Sequence, residues 1–206
     1  LLFTPEDFKQ MMADLPLRWR CYVVLCLNCG FTQIDLANLR KDQLDLKAGR
    51  LVFKRTKTKR HKSAPKVNYK LWPKTIDLLE TAMGDDPVYV FTTKSGNQLM
   101  TETLVDGKIK RWDTVGSAWG KMRRRNRVPD KPFKYLRKTG SNWFKYHEEF
   151  ASLQQTYLAQ APTSVAGKHY TAYPGKPHVF FDRAIDALGQ HFGTERSLVE
   201  GDVNKP

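Results

Sequence analysis

Phe133-Lys134-Tyr135-Leu136-Arg137-Lys138-Thr139, followed downstream by Ser164-Val165-Ala166-Gly167-Lys168-His169-Tyr170, decides how this chain is read. Lys134 and Arg137 stand three apart, so a helix puts both cations on one face. Two helix-length segments and Pro162 separate that pair from Tyr170, which falls on a later, short segment. The order is a cationic clamp suited to phosphate, then a phenol suited to nucleophilic attack.

Working outward, Phe133 to Tyr146 reads as a helix with Leu136, Trp143 and Phe144 inward. Glu149 to Gln160 puts Phe150, Leu153, Tyr157 and Leu158 on one helical face, and Pro162 stops it. A short helical turn carries Tyr170, and Pro174-Gly175 breaks the chain again. Phe181, Ala184, Ile185, Leu188 and Phe192 then define an amphipathic helix over about 178–192. Upstream, a helix from about Asp113 to Asn126 ends in Lys121, Arg123, Arg124, Arg125 and Arg127. Those cations suit the negative end of a helix dipole and equally form a basic patch.

The N-terminal half follows the same logic. Thr4-Pro5-Glu6-Asp7 is a helix start, with Phe8, Met11, Met12 and Leu15 at helical spacing. A second helix, about Leu17 to Cys29, is apolar almost all round and therefore central, and Gly30 ends it. Thr32-Gln33-Ile34-Asp35 resembles a capping box and opens a short helix through Leu39. Leu51 to Arg55 and Pro65 to Leu71 read as partner strands joined by the basic hairpin Thr56 to Lys62. Pro73 starts a helix through about Met83, Pro87 to Phe91 reads as a short strand, and Ser95-Gly96-Asn97 as a turn. The expected fold is α+β: mainly helical, one domain over 1–195, a small antiparallel sheet, and a tail at 196–206.

Charge narrows the partner. Thirty-five Lys and Arg face 21 Asp and Glu, a net of +14. The positive charge is clustered: no acid falls between Asp45 and Asp77, or between Asp130 and Glu148. A duplex carries one negative charge per about 1.7 Å of axis, so a nucleic acid such as double-stranded DNA is the expected partner. No apolar run approaches the roughly 20 residues of a membrane span, and no secretory leader opens the chain, so a cytoplasmic location is expected. Cys21, Cys26 and Cys29 form no paired framework and lack the His or second Cys pair of a zinc site; buried thiols in a reducing compartment are expected. A first residue that is Leu suggests a piece of a longer chain.

In this order the pieces resemble the catalytic domain of the tyrosine recombinase (phage integrase) family, over about residues 4–190. Asn28 to Arg40, with Gly30, Thr32, Asp35 and Leu39, resembles the family's first box, Gly-Leu-Arg-x-x-Glu-Leu-x-x-Leu. Arg55-Thr56-Lys57-Thr58 resembles the hairpin that carries the catalytic lysine, and Lys134-Tyr135-Leu136-Arg137 the second box, His or Lys-x-x-Arg. Leu158-Ala159-Gln160 resembles the Leu-Gly-His (or Trp) step, and Tyr170 then falls at the nucleophile, with Tyr173 as its fallback. The resemblance implies DNA strand breakage through a 3′-phosphotyrosyl link, with no metal and no cofactor. It implies that Arg137 clamps the nonbridging oxygens and Lys57 protonates the leaving 5′-oxygen, with Lys59 its close rival. Lys134 and Gln160 would be further donors. Lys54, Arg55, Lys59, Arg60, Lys62, Arg123, Arg124 and Lys138 would line the DNA. An N-terminal DNA-clamping domain is implied as a missing piece. The C-terminal helix would pack on its own domain or join copies into a homo-oligomer on DNA.

Two departures bear on activity. Thr32 stands where the first-box arginine belongs, and Gln160 where a His or Trp belongs. Removing one preorganised donor costs about 2.7–4 kcal/mol of transition-state stabilisation. Arg20 and Arg40 are the candidates to supply the missing charge. The alternative is an impaired or inactive DNA-binding descendant of the same fold.

Overall fold

The computed structural model describes residues 1–55, 65–125, 127–161 and 175–194. Its centre is α2 (Leu17–Asn28), in which every side chain from Cys21 to Asn28 is buried. Leucine, valine and cysteine on all sides leave no polar face, so other elements cover it all round. The helix starts after Pro16 and ends at Cys29, whose N–H bonds the Leu25 carbonyl. Gly30 follows with φ +60°, the left-handed residue that closes a helix. A Cβ there would also stand 2.8 Å from the Tyr157 carbonyl oxygen, so packing and backbone both require glycine. Asn28 ties α2 to what comes next. Its Nδ2 donates to the Lys70 carbonyl (3.0 Å), and its Oδ1 accepts from the Trp72 N–H (3.0 Å) and the Thr75 hydroxyl (2.9 Å).

α1 (Pro5–Asp14) carries the expected cap. Asp7 N–H donates to the Thr4 hydroxyl and Thr4 N–H to the Asp7 carboxylate, while Phe8 and Met11 turn inward. α3 (Gln33–Ala37) is shorter than expected. A three-stranded antiparallel sheet follows in the order β1 (Leu44–Asp45), β2 (Arg50–Lys54), β3 (Lys66–Lys70). Leu51 pairs with Tyr69 and Phe53 with Val67, and all four are buried. α4 (Pro73–Ala82) begins on its proline.

The expected strand Pro87 to Phe91 does not form; an isolated bridge between Arg40 and Tyr89 is its only pairing among the described residues. Pro87 has no N–H to give, and the Asp86 carboxylate takes those of Val88 (2.8 Å) and Tyr89 (2.6 Å). In its place, β4 (Met100–Val105) and β5 (Lys108–Asp113) form a hairpin. Its turn, Asp106-Gly107, has φ of 52° and 70°, as a two-residue hairpin loop requires.

α5 (Thr114–Arg124) is capped by Asp113 and buries Val115 and Trp119; Lys121, Arg123 and Arg124 lie in its last turn. α6 (Tyr135–Tyr146) buries Leu136, Thr139, Gly140, Trp143 and Phe144. The expected single helix over Glu149–Gln160 is instead a 3-10 segment (Glu148–Leu153) and the short α7 (Gln154–Tyr157). It ends because Ala159 takes φ +46° and the Gln160 N–H reaches back to the Gln155 carbonyl, a helix-closing pattern.

α8 (Val179–His191) packs within the domain, one of the two arrangements left open by the sequence. Phe181, Ala184, Ile185 and Leu188 are buried, and Asp182 makes a two-point ion pair with Arg50 (2.7 and 2.7 Å). Asp186 pairs with Lys70 (2.6 Å). The three cysteines are buried thiols, and burial pushes Cys26 and Cys29 well above the ordinary thiol range. Among the described residues no cluster of His, Cys, Asp and Glu could hold a metal, and no helix is long and apolar enough to cross a membrane.

Candidate active site

Arg137 lies in the first turn of α6, half-buried, with its guanidinium directed at two backbone carbonyls. Its Nη1 donates to Gly30, and its Nη2 to Leu158 (2.7 Å). Three stretches far apart in sequence therefore meet on one cation: the loop after α2, the start of α6 and the end of α7. The left-handed turn at Gly30 presents one carbonyl. The closure at Ala159 presents the other. Tyr157 stiffens the corner: its hydroxyl donates to the Leu27 carbonyl (2.7 Å), its carbonyl accepts from the Tyr69 hydroxyl (2.9 Å), and its ring stacks on Phe144.

Electrostatically the corner is positive. Among the described residues Arg137 makes no ion pair. Burial, then the charge of Arg55, pushes its guanidinium below the ordinary arginine range, opposed by Tyr69, Asp35 and Tyr157. Tyr69 and Tyr157 are themselves pushed well above the usual phenol range, chiefly by burial, so both are neutral hydrogen-bonding groups. Neither is a nucleophile in this setting.

Lys134 is exposed at the N-cap position of α6, one turn before Arg137, and Gln160 is exposed two residues beyond Leu158. Thr32 begins α3 two residues beyond Gly30; its N–H (3.0 Å) and hydroxyl (2.7 Å) both donate to the Asp35 carboxylate. Lys138 lies over the Tyr135 ring (5.1 Å), Arg123 pairs with Asp130, and Arg124 is exposed at the end of α5. Lys54 closes β2, and Arg55 follows it. Lys57, Lys59, Arg60, Lys62, Tyr170 and its fallback Tyr173 lie outside the described residues.

One expectation needs correcting. Arg20 donates to the Leu15 and Ala13 carbonyls, and Arg40 pairs with Asp42 (2.9 Å). Both are engaged locally, so neither supplies the charge missing at Thr32. The carbonyl anchors of Arg137 were not foreseen either. A backbone carbonyl has no residue signature, and a glycine after a helix was the one local hint.

No family model matches the chain, and no curated protein matches it in sequence. Solved structures do match. The integrase from mycobacterium phage Brujita superposes with a TM-score of 0.61 at 12% identity, over 94% of this chain and 62% of that one. XerA recombinase gives 0.57 at 16% identity, over 92% and 64%. The Tn1549 transposon integrase, in complex with transposon right end DNA, gives 0.56 at 12% identity, over 92% and 65%. The chain thus spans less than two thirds of each of these structures. The likeness defines the fold as that of a tyrosine recombinase catalytic domain: a mainly helical bundle with small antiparallel sheets.

Proposed function

We propose that this chain is the DNA breaking-and-rejoining domain of a tyrosine-recombinase-type enzyme, acting on duplex DNA. The observation that carries the proposal is Arg137, a half-buried cation without an ion pair among the described residues, held by Gly30 and Leu158. A guanidinium has five N–H donors. Two go to these carbonyls, which fix its plane, and the others suit an oxyanion that gains charge in a transition state. The fold likeness and the net charge of +14 support DNA as the partner.

In this proposal the Tyr170 oxygen attacks the scissile phosphorus. A P–O bond forms to the phenol as the bond to the 5′-oxygen breaks. The phenol proton leaves to solvent, and the Lys57 ammonium protonates the departing oxygen. Lys57 regains a proton from solvent, so charge and electrons balance, and a second strand's 5′-hydroxyl reverses the step. Lys134 and Gln160 add donors at the phosphate. Lys54, Arg55, Lys59, Arg60, Lys62, Arg123, Arg124 and Lys138 hold the DNA backbone. The domain would work inside the cell, on the DNA there. An N-terminal clamping domain and further copies on the DNA belong to the same proposal; α8 buries its apolar face internally, so contacts between copies would use other surfaces.

A duplex nicked just beyond the scissile phosphate loses its leaving strand and traps the adduct. Wild-type protein should accumulate a covalent complex that Tyr170→Phe abolishes. A second reading, a DNA-binding descendant without activity, draws on Thr32, whose hydroxyl is committed to Asp35 and offers no positive charge. It predicts no adduct, with log affinity falling by about 0.9 per phosphate neutralised as log salt rises.

A further inference from the structure

Two arginines bracket β2, and their surroundings are opposite. Arg50 opens the strand and is held at two points by Asp182. Arg55 follows the last strand residue and makes no ion pair among the described residues. Side chains alternate along a strand. Leu51 and Phe53 face the core, and Arg55, half-buried, continues their parity one residue beyond the strand. Its Nε is buried with no hydrogen-bond partner among the described residues.

That inward face leads to the candidate site. The Phe53 ring lies against Phe31 (centroids 4.5 Å apart), and Phe31 adjoins Gly30, whose carbonyl holds Arg137. Arg55 is close enough for its charge to disfavour a second cation at Arg137. Asp35, an acid whose charge also reaches Arg137, has its carboxylate engaged by Thr32. Arginine does not shed its proton in proteins, so both groups stay charged. A buried donor left unmatched opposes folding, and a ligand with several anionic oxygens satisfies both guanidiniums at once.

We propose that Arg55 supplies the second guanidinium of the phosphate site, gripping, together with Arg137, the nonbridging oxygens of one DNA phosphodiester. The inference rests on the strand-transferase reading above and deepens it. The charge absent at Thr32 is made up from the sheet side of the same loop. Arg55 acts as a donor only; the bonds made and broken are those already given.

The test uses the whole chain and three variants: Arg55→Ala, Arg55→Lys and Arg40→Ala. Single-turnover adduct formation on the nicked duplex should slow by about 100- to 1,000-fold in Arg55→Ala. Arg55→Lys keeps the charge without the two-pronged fork and should recover part of the rate. Arg40→Ala should match wild type. Inorganic phosphate should raise the melting temperature of wild-type protein and lose that effect in Arg55→Ala and Arg137→Ala. Without phosphate, Arg55→Ala should melt at or above wild type, because an unmatched cation has gone; a purely structural role would lower it. Wild-type adduct rates in Arg55→Ala, or undiminished phosphate stabilisation, overturn the inference while leaving the enzyme reading intact. No adduct from wild type, with phosphate stabilisation still needing both arginines, removes the enzyme reading and leaves the site. If wild type shows neither adduct nor phosphate stabilisation, both are overturned.

Discussion

Alanine at Gly140 puts the packing behind Arg137 to a test of sign. In an exposed helix, Gly→Ala stabilises by roughly 0.5–1 kcal/mol. At Gly140 an added Cβ would lie 2.0 Å from the Tyr157 hydroxyl oxygen and 2.6 Å from its ring carbon Cζ. Something must move, and the ring is held by its bond to Leu27 and its stack on Phe144. Overpacking costs about 1–3 kcal/mol. A broken buried hydrogen bond adds about 0.5–1.5 kcal/mol. Less the helix gain, Gly140→Ala should destabilise by about 0.5–4 kcal/mol. Gly120 in α5 is the control. Its Cβ would meet only an Arg124 side-chain nitrogen at 3.6 Å, so Gly120→Ala should stabilise. Urea unfolding, followed by tryptophan fluorescence, measures both. Adduct formation should fall in Gly140→Ala alone, because Tyr157 sets the Leu158 carbonyl that holds Arg137. A neutral or stabilising Gly140→Ala refutes this account of the corner.

Three other perturbations probe the scaffold. Asn28→Ala strands the Lys70 carbonyl, the Trp72 N–H and the Thr75 hydroxyl, and should cost about 3 kcal/mol in urea unfolding; a loss under about 1 kcal/mol contradicts the buried network. A double-mutant cycle of Arg50→Ala and Asp182→Ala should give a coupling of about 1–2 kcal/mol, above that of exposed pairs, because the contact is two-pronged and half-buried. Burial works against ionisation of Asp7, but its bonds to Lys131 and Thr4 prevail and hold the carboxyl below its usual value. The contribution of that pair is therefore present above the unfolded carboxyl value of about 3.9 and lost as pH falls through the depressed folded value. Lys131→Met should melt below wild type at pH 7, with the gap closing towards pH 2; a gap independent of pH would refute the assignment.

Elements with a one-sided or all-round apolar pattern were legible from residue order. The bare apolar run of α2, the inward positions of α6 and the face of α8 each describe a surface that water must leave. Caps at Thr4, and the pairing of β2 with β3, were readable for the same local reasons. The β4–β5 hairpin was not, although Asp106-Gly107 is a turn signal. Its strands bury neither face: Leu104, Ile109 and Trp112 are 73%, 70% and 67% exposed, so no alternation betrays it. Pro87 to Phe91 failed in the opposite way. Its apolar residues looked like a strand, but Val88 is exposed, Val90 and Phe91 are buried side by side without alternation, and Asp86 takes the N–H groups of Val88 and Tyr89.

Residue types and spacing by themselves determined a basic, mainly helical chain with a small sheet, and singled out Arg137 as the cation to watch. Periodicity, capping and charge are written in neighbours along the chain, so they survive without coordinates. Only the tertiary structure decided what holds Arg137, that Arg20 and Arg40 are engaged elsewhere, and that the Nε of Arg55 is buried. The first of these depends on a backbone carbonyl from a stretch more than a hundred residues away. Every residue carries the same carbonyl, so folding alone selects which ones meet.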